Sequence, residues 1–167
     1  MKTSFDISSR FPLPADLAKE YARFCLKLAL AKARRLGRRE PHQVSFRLRS
    51  SATNFRSGRA RVNLLRALPG VDKCRRFDPA VFVKLGKYHA LGGLLRERYS
   101  RYAHRADCPE TIVDGPVEAY VRLVGHELGH GVCGFGGDMT GEYHCERLGA
   151  ECLEAWRLAY RDNACMI

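Results

Sequence analysis

The chain has 167 residues, of which 46% are hydrophobic and 28% are charged, a composition that is typical of one folded domain and excludes a disordered or fibrous chain. It has no apolar run of about 18 residues, which excludes a predicted membrane-spanning helix. Residues 1–14 lack the apolar core of a secretory signal, so we expect a cytoplasmic protein.

The net charge of +11 is divided unevenly along the chain. Residues 1–105 carry 25 Lys and Arg against 7 Asp and Glu, whereas residues 106–167 carry 4 against 11. Such an excess of positive charge favours a polyanionic partner, most often a nucleic acid, and the alternative is a basic face that is only solvated. We predict a single domain over residues 1–167, in which a basic helix and sheet part precedes an acidic part.

The seven cysteines are an odd number and include no Cys-x-x-Cys pair. This pattern argues against a disulfide framework and against a zinc ribbon. We therefore predict reduced thiols that act as small core residues.

The first predicted element is a long helix near the N-terminus. Asp16 can cap its start, and Gly37 ends it after about Leu36. Apolar side chains that recur at helical spacing predict one buried stripe. The stripe consists of Leu17, Tyr21, Phe24, Leu28 and Ala31.

Two alternating segments follow and predict a pair of strands. Residues 44–49 alternate between apolar and polar side chains, and residues 59–65 alternate again after a turn at Ser57 and Gly58. We expect these strands to pair in an antiparallel arrangement. Their outward positions include four arginines, namely Arg47, Arg49, Arg59 and Arg61. Because like charges on one sheet face repel each other unless solvent or an anion screens them, these arginines are candidate contacts to DNA.

The remaining segments predict one more strand and three more helices. Residues 81–85 indicate a short strand, residues 88–104 a helix, and residues 106–115 a loop. Pro116 fits the first turn of the next helix, and a last helix covers about residues 140–160. The expected fold class is α+β, in which a small antiparallel or mixed sheet of about three strands packs with an N-terminal, a central and a C-terminal helix.

The most informative motif lies at the C-terminal end of the helix that starts at Pro116. Residues 126–130 read His-Glu-Leu-Gly-His, an HExxH pentapeptide. Residues four apart lie on one face of a helix, so His126 and His130 can bind the same Zn²⁺ ion. Glu127 can then act as the general base towards water that the metal activates, which is the chemistry of a metallopeptidase.

A catalytic zinc usually takes three protein ligands and leaves one position open, so a third ligand is expected after His130. A metzincin pattern is excluded, because Cys133 and Gly136 occupy its glycine and histidine positions. His144 is the leading candidate, since a glycine-rich reversal can return the chain to the metal. The other candidates are carboxylates on the last helix, Glu151 first and then Glu146 and Glu142.

The HExxH motif, a gap of 13 residues and then His144 resemble the SprT/Spartan-like metallopeptidases. The resemblance covers residues 126–156. It implies a zincin-like fold, a zinc cofactor and the hydrolysis of a protein or peptide substrate, often a protein bound to DNA. By this match His126, His130 and His144 are zinc ligands and Glu127 is the catalytic base.

Two other functions remain open. One is a gluzincin-type processing protease of a specific regulator, which uses two histidines and a glutamate as ligands, and Glu151 in place of His144 would favour it. The other is a nucleic-acid-binding module whose metal is structural. For a peptidase, the edge strand around residues 61–65 is a candidate surface for binding an extended peptide.

Overall fold

The computed structural model describes residues 1–51, 57–64, 77–86, 96–99, 108 and 110–161, and this part of the chain confirms the α+β class. In chain order its elements are β1 (Lys2–Ile7), α1 (Ala15–Arg35), β2 (Gln43–Ser51), β3 (Ser57–Leu64), β4 (Phe77–Gly86), β5 (Arg96–Tyr99), β6 (Thr111–Asp114), α2 (Gly115–Gly131), α3 (Met139–Trp156) and a π-helical turn (Arg157–Arg161). Among these helices, none combines the length and the apolar character that crossing a membrane requires.

Helix α1 confirms the predicted N-terminal helix, although its start differs in detail. Asp16 does not cap the helix but lies in its first turn, where its carboxylate pairs with the Lys19 ammonium at 3.3 Å. At the other end Gly37 has a φ of 66°, the left-handed conformation that ends helices and that glycine adopts without strain.

The predicted stripe of α1 is not the buried face of the helix, although Tyr21, Phe24 and Leu28 pack against the margin of the core. Leu17 is 38% exposed, and the other predicted residues are only partly buried. The buried side chains are mostly small, namely Ala18, Ala22, Cys25, Leu26, Ala29, Leu30 and Ala33. Small residues face inward because α2 lies close to α1, so close that the Tyr120 hydroxyl donates to the Ala18 carbonyl at 2.8 Å.

Four strands form one mixed sheet in the order β1-β2-β4-β3. Strands β1, β2 and β4 are parallel, and β3 is an edge strand antiparallel to β4. The predicted antiparallel pairing of residues 44–49 with residues 59–65 is therefore wrong, since β4 lies between them. Strand β4 suits this inner position because Val81, Val83 and Leu85 are all buried.

Other strand predictions have mixed outcomes. The strand predicted at residues 81–85 is confirmed within β4, whereas Ser57 and Gly58 belong to β3 and not to a turn. Strand β1 was not predicted. It forms because it extends the sheet beside β2, a long-range pairing that its short alternating sequence does not reveal.

The helix predicted at residues 88–104 is wrong where the structure describes this segment. Residues 96–99 are strand β5, which pairs with β6 in an antiparallel two-stranded sheet, and the rest of 88–104 lies outside the described residues. Strand β6 also interrupts the loop predicted at residues 106–115. Both strands have four residues, too few for alternation to distinguish them from a loop or a helix.

Helices α2 and α3 confirm the last two predicted helices, and their glycines allow them to pack closely. A Cβ at Gly129 would lie 2.8 Å from the Cys145 Sγ, and a Cβ at Gly149 would lie 2.7 Å from the Arg122 carbonyl oxygen. A Cβ at Gly125 would also lie 2.8 Å from the Cβ of a cysteine on α3. The first turn of α3 is therefore held beside the last turns of α2, where the HExxH motif lies.

Candidate metal centre

Three side chains converge at the end of α2 and the start of α3. The His126 Nε2 lies 3.4 Å from one Glu142 carboxylate oxygen, and the His130 Nε2 lies 3.3 Å from the other. One ligand atom from each residue fits within a group that spans no more than 4.8 Å. Two imidazole nitrogens and one carboxylate oxygen are a donor set that suits a divalent zinc ion with an open fourth position.

The other nitrogen of each imidazole ring, Nδ1, lies close to an acceptor oxygen. The His126 Nδ1 lies 3.4 Å from a Glu146 carboxylate oxygen, and the His130 Nδ1 lies 3.1 Å from the Phe135 backbone carbonyl. An acceptor at Nδ1 favours the tautomer that leaves Nε2 unprotonated, which is the form that binds a metal. Both rings are thus oriented with the free nitrogen towards Glu142.

Glu146 is itself anchored by a buried arginine. The Arg122 side chain is 2% exposed and its guanidinium forms an ion pair with the Glu146 carboxylate. Burial raises the pKa of Glu146, but the hydrogen bond to His126 and the charge of Arg122 outweigh it and bring the pKa to about 2. Glu146 therefore remains an anion that can orient His126.

Glu127 lies between the two histidines in sequence and is 4% exposed. Burial raises its pKa to about 7, while His126 lowers it and the nearby Glu142 carboxylate raises it further. The backbone of Ala60 on β3 also contributes a hydrogen bond that lowers this pKa. A carboxylate whose pKa lies near neutrality can both accept and release a proton at physiological pH.

A cavity of about 460 Å³ opens in front of these groups. It is lined by Ala60, His126, Glu127, His130, Phe135, Gly137 and Glu142. Of these residues, Ala60 belongs to the edge strand β3, and Phe135 and Gly137 belong to the loop that connects α2 with α3. The candidate ligands and Glu127 therefore share one accessible space of the size that small ligands and peptide segments occupy.

The structure brings His126, Glu127 and His130 together, but it places His144 and Glu151 elsewhere. The His144 ring lies 5.1 Å from the Phe135 ring and is not in the converging group. The Glu151 carboxylate accepts from the Lys32 ammonium at 2.6 and 2.7 Å.

Glu142, which sequence reasoning had ranked as a weaker candidate, is the residue that faces both histidines. The signal that could have raised its rank is the spacing of Glu142 and Glu146. Four residues apart on α3, one carboxylate meets the Nε2 side of His126 and the other meets its Nδ1 side.

The four arginines proposed to contact nucleic acid have different surroundings. Arg47 is exposed, while Arg49 pairs with the Asp6 carboxylate at 2.5 Å. Arg59 and Arg61 occupy positions on the edge strand β3. Among the described side chains, neither Arg47 nor Arg49 lines the cavity.

Five cysteines lie in the described residues, and all five are buried free thiols, namely Cys25, Cys108, Cys133, Cys145 and Cys152. This agrees with the predicted reduced core residues, and the two other cysteines, Cys74 and Cys165, lie outside the described residues. Burial raises the pKa of Cys133 to about 11, so this thiol is protonated and unreactive at neutral pH.

A scan of protein-family models, a search of curated proteins and a search of solved structures each found no match to this chain. The resemblance to the SprT/Spartan-like metallopeptidases therefore depends on the motif residues alone.

Proposed function

We propose that this protein is a zinc-dependent metallopeptidase in which His126, His130 and Glu142 hold the metal and Glu127 is the general base. One observation carries the proposal. Both histidines direct Nε2 towards the Glu142 carboxylate, while the Nδ1 atom of each ring has its own acceptor. A histidine that binds no ligand does not need a contact at each ring nitrogen, whereas metal-binding histidines commonly have an acceptor at the nitrogen that does not bind the metal.

A bound zinc ion supplies a Lewis acid that polarises a peptide carbonyl and acidifies water. The protein supplies the proton transfers. Glu127 lines the cavity, takes a proton from the attacking water and passes it to the leaving amine. Its burial favours this second step, because a carboxyl group with a raised pKa retains a proton long enough to donate it.

The cavity also suggests how a peptide substrate is held. Ala60 belongs to β3, the edge strand of the sheet, and it lines the cavity beside Glu127. Besides the Ala60 group that bonds Glu127, an edge strand presents backbone groups to which an extended peptide can add as a further strand. This puts the binding surface on β3 at Ala60, next to the segment around residues 61–65 that the sequence indicated.

The third ligand bears on which type of peptidase this is. Two histidines and a glutamate are the ligand set expected for the gluzincin-type processing protease, and three histidines are the set expected for the SprT-like enzyme. The position of Glu142 therefore favours a ligand set of the gluzincin type, supplied by Glu142 in place of the expected Glu151. The cytoplasmic location stays a prediction.

Zinc content tests the ligand set. We expect equimolar zinc in the wild-type protein and in His144→Ala and Glu151→Ala, and loss of zinc in His126→Ala and Glu142→Ala. Retention of zinc by Glu142→Ala together with its loss from His144→Ala would contradict our assignment and restore the SprT-like set.

Glu127→Gln tests catalysis separately from metal binding. This variant should retain zinc and lose peptidase activity on an unfolded protein substrate by roughly a hundredfold or more, because the general base is removed. Wild-type protein that holds zinc but cleaves no unfolded protein or peptide would support the rival function, a nucleic-acid-binding module with a structural metal.

A further inference from the structure

The face of the four-stranded sheet that points away from α2 is basic, and we call it the outer sheet face. Alternation along β2 and β4 turns Val44, Phe46, Leu48, Val81, Val83 and Leu85 into the core. The residues between them point the other way. Among these, Arg47 and Lys84 are exposed and Phe82 is half-buried. A basic surface with an aromatic ring at its centre results.

Strand register extends this surface beyond β2 and β4. Arg47 on β2 is the register partner of Phe82 on β4, and Phe82 is in turn the partner of Arg59 on β3. In the same way Arg49 is opposite Lys84, and Ala80 is opposite Arg61. Because register partners share a face of a sheet, five basic positions surround the position of Phe82. Those positions are Arg47, Arg49, Lys84, Arg59 and Arg61.

The described side chains of this surface differ in how their charge is balanced. Arg49 pairs with Asp6, and Asp6 is close enough to Arg47 for the two charges to interact. Lys84 forms no ion pair within the described part of the chain. The Arg47 guanidinium lies 5.3 Å from the centroid of the Phe82 ring. An anionic partner would relieve the remaining repulsion across neighbouring strands.

We propose that the outer sheet face binds single-stranded nucleic acid. Lys84 and the edge of the Arg47 guanidinium contact phosphates, and a base stacks on the face of that guanidinium, which lies over the Phe82 ring. A single strand fits better than a duplex, because a stacking side chain needs a base whose face is free, and a duplex hides its base faces. An acidic protein fits less well, because carboxylates gain nothing from a stacking platform.

This surface lies on the back of the strand that borders the metal centre. Ala60 lines the cavity, and the positions on either side of it in β3 are Arg59 and Arg61. A nucleic acid on the outer sheet face therefore leaves the cavity accessible. The proposal goes beyond the peptidase function and does not depend on it.

Fluorescence anisotropy with a labelled single strand of about 15 nucleotides, a length near the usual site size, tests the proposal. The full chain carrying Glu127→Gln is compared with the same chain carrying Arg47→Ala and Lys84→Ala. The matched control carries Lys27→Ala and Arg35→Ala, which remove two exposed charges from α1. We expect the sheet variant to lose affinity tenfold or more and the control less than twofold. The slope of log affinity against log salt should fall by about 1.4 for two lost phosphate contacts.

Phe82→Leu tests the stacking step. It should weaken binding of the single strand roughly fivefold or more and leave binding of a duplex of equal length unchanged. RNA and DNA single strands, run side by side, show which sugar is preferred. A circular dichroism spectrum establishes that the variant is folded, and if it is not, the Arg47 and Lys84 variant decides alone.

Four results would overturn the proposal. They are no binding of a single strand, equal losses in the sheet variant and the α1 control, tighter binding of the duplex than of the single strand, and displacement of the oligonucleotide by polyglutamate at equal charge. Because every variant carries Glu127→Gln, none of these results depends on peptidase activity.

Discussion

Charged side chains are arranged in opposite ways on the α2–α3 helix pair and on the outer sheet face. Between the helices Arg122 is 2% exposed and is held by Glu146, which in turn contacts His126. On the sheet Arg47 and Lys84 are exposed to solvent. A buried charge needs a fixed partner and so fixes the position of its neighbours, whereas an exposed charge remains available to an external partner. The charges of the helix pair are therefore fixed in position by the fold, whereas those of Arg47 and Lys84 remain accessible from solvent.

The largest expected difference between the two regions is in the free energy of unfolding, when one arginine is removed from each. Arg122→Ala should lower the free energy of unfolding by roughly 3 kcal/mol or more, because it leaves the Glu146 carboxylate partly buried without its cation. Arg47→Ala, which removes the same side chain from the sheet surface, should change it by less than about 0.5 kcal/mol. Urea denaturation of the metal-free protein measures both values.

A double variant sharpens this comparison. Arg122→Ala combined with Glu146→Ala should recover much of the lost stability, because no uncompensated charge remains. It should still bind zinc more weakly than the wild type, since His126 loses its orienting carboxylate. Equal stability losses in Arg122→Ala and Arg47→Ala would show that the distinction between positioning and binding charges is wrong.

The close approach of α2 and α3 gives the next largest effect. Gly129→Ala should cost roughly 1–3 kcal/mol of stability, because the new Cβ would lie 2.8 Å from the Cys145 Sγ and the helices must separate. Zinc affinity should fall with it, since Glu142 moves away from the histidines. Gly137→Ala is the matched control, because its Cβ would meet no atom within 4 Å. Thermal unfolding with and without zinc measures both effects, and an unchanged zinc affinity in Gly129→Ala would argue against this coupling.

The smallest expected effect concerns the thiol of Cys133, which lies beyond the end of α2. Its folded pKa of about 11 is above the ordinary value of 9.0, so its contribution to stability is complete below pH 9 and is lost as the pH rises towards 11. Cys133→Ala should therefore show a shallower fall in the urea midpoint between pH 9 and pH 11 than the wild type does. Parallel curves would mean that the thiol ionises equally easily in the folded and unfolded chains.

The bounds of α1, α2 and α3 could be predicted from the sequence because their signals are local. Gly37 ends α1 and Pro116 begins the helix of the HExxH motif, both within one residue or turn of the prediction. The core face of α1 could not be predicted, because a stripe of large residues and a stripe of alanines were both present. The distance to α2 selected the alanines.

Strand order and the short strands could not be predicted for a related reason. Strand β4, whose apolar residues are buried, lies between β2 and β3. The alternation of β2 and of β3 shows that each is a strand but does not show which strand lies beside it. Strands β5 and β6 exist through their pairing with each other. Pairing between distant segments is a property of the whole fold, and local patterns leave it open.

The sequence by itself determined that His126 and His130 share one face of a helix with Glu127 beside them, because a spacing of four residues requires it once the helix forms. Only the tertiary structure decided which residue completes the group. His144, Glu142, Glu146 and Glu151 all belong to the same helix, and the choice among them depends on how α3 lies against α2. Glycines at the crossing set that geometry, and it brings Glu142 to the two Nε2 atoms while the His144 ring rests on Phe135.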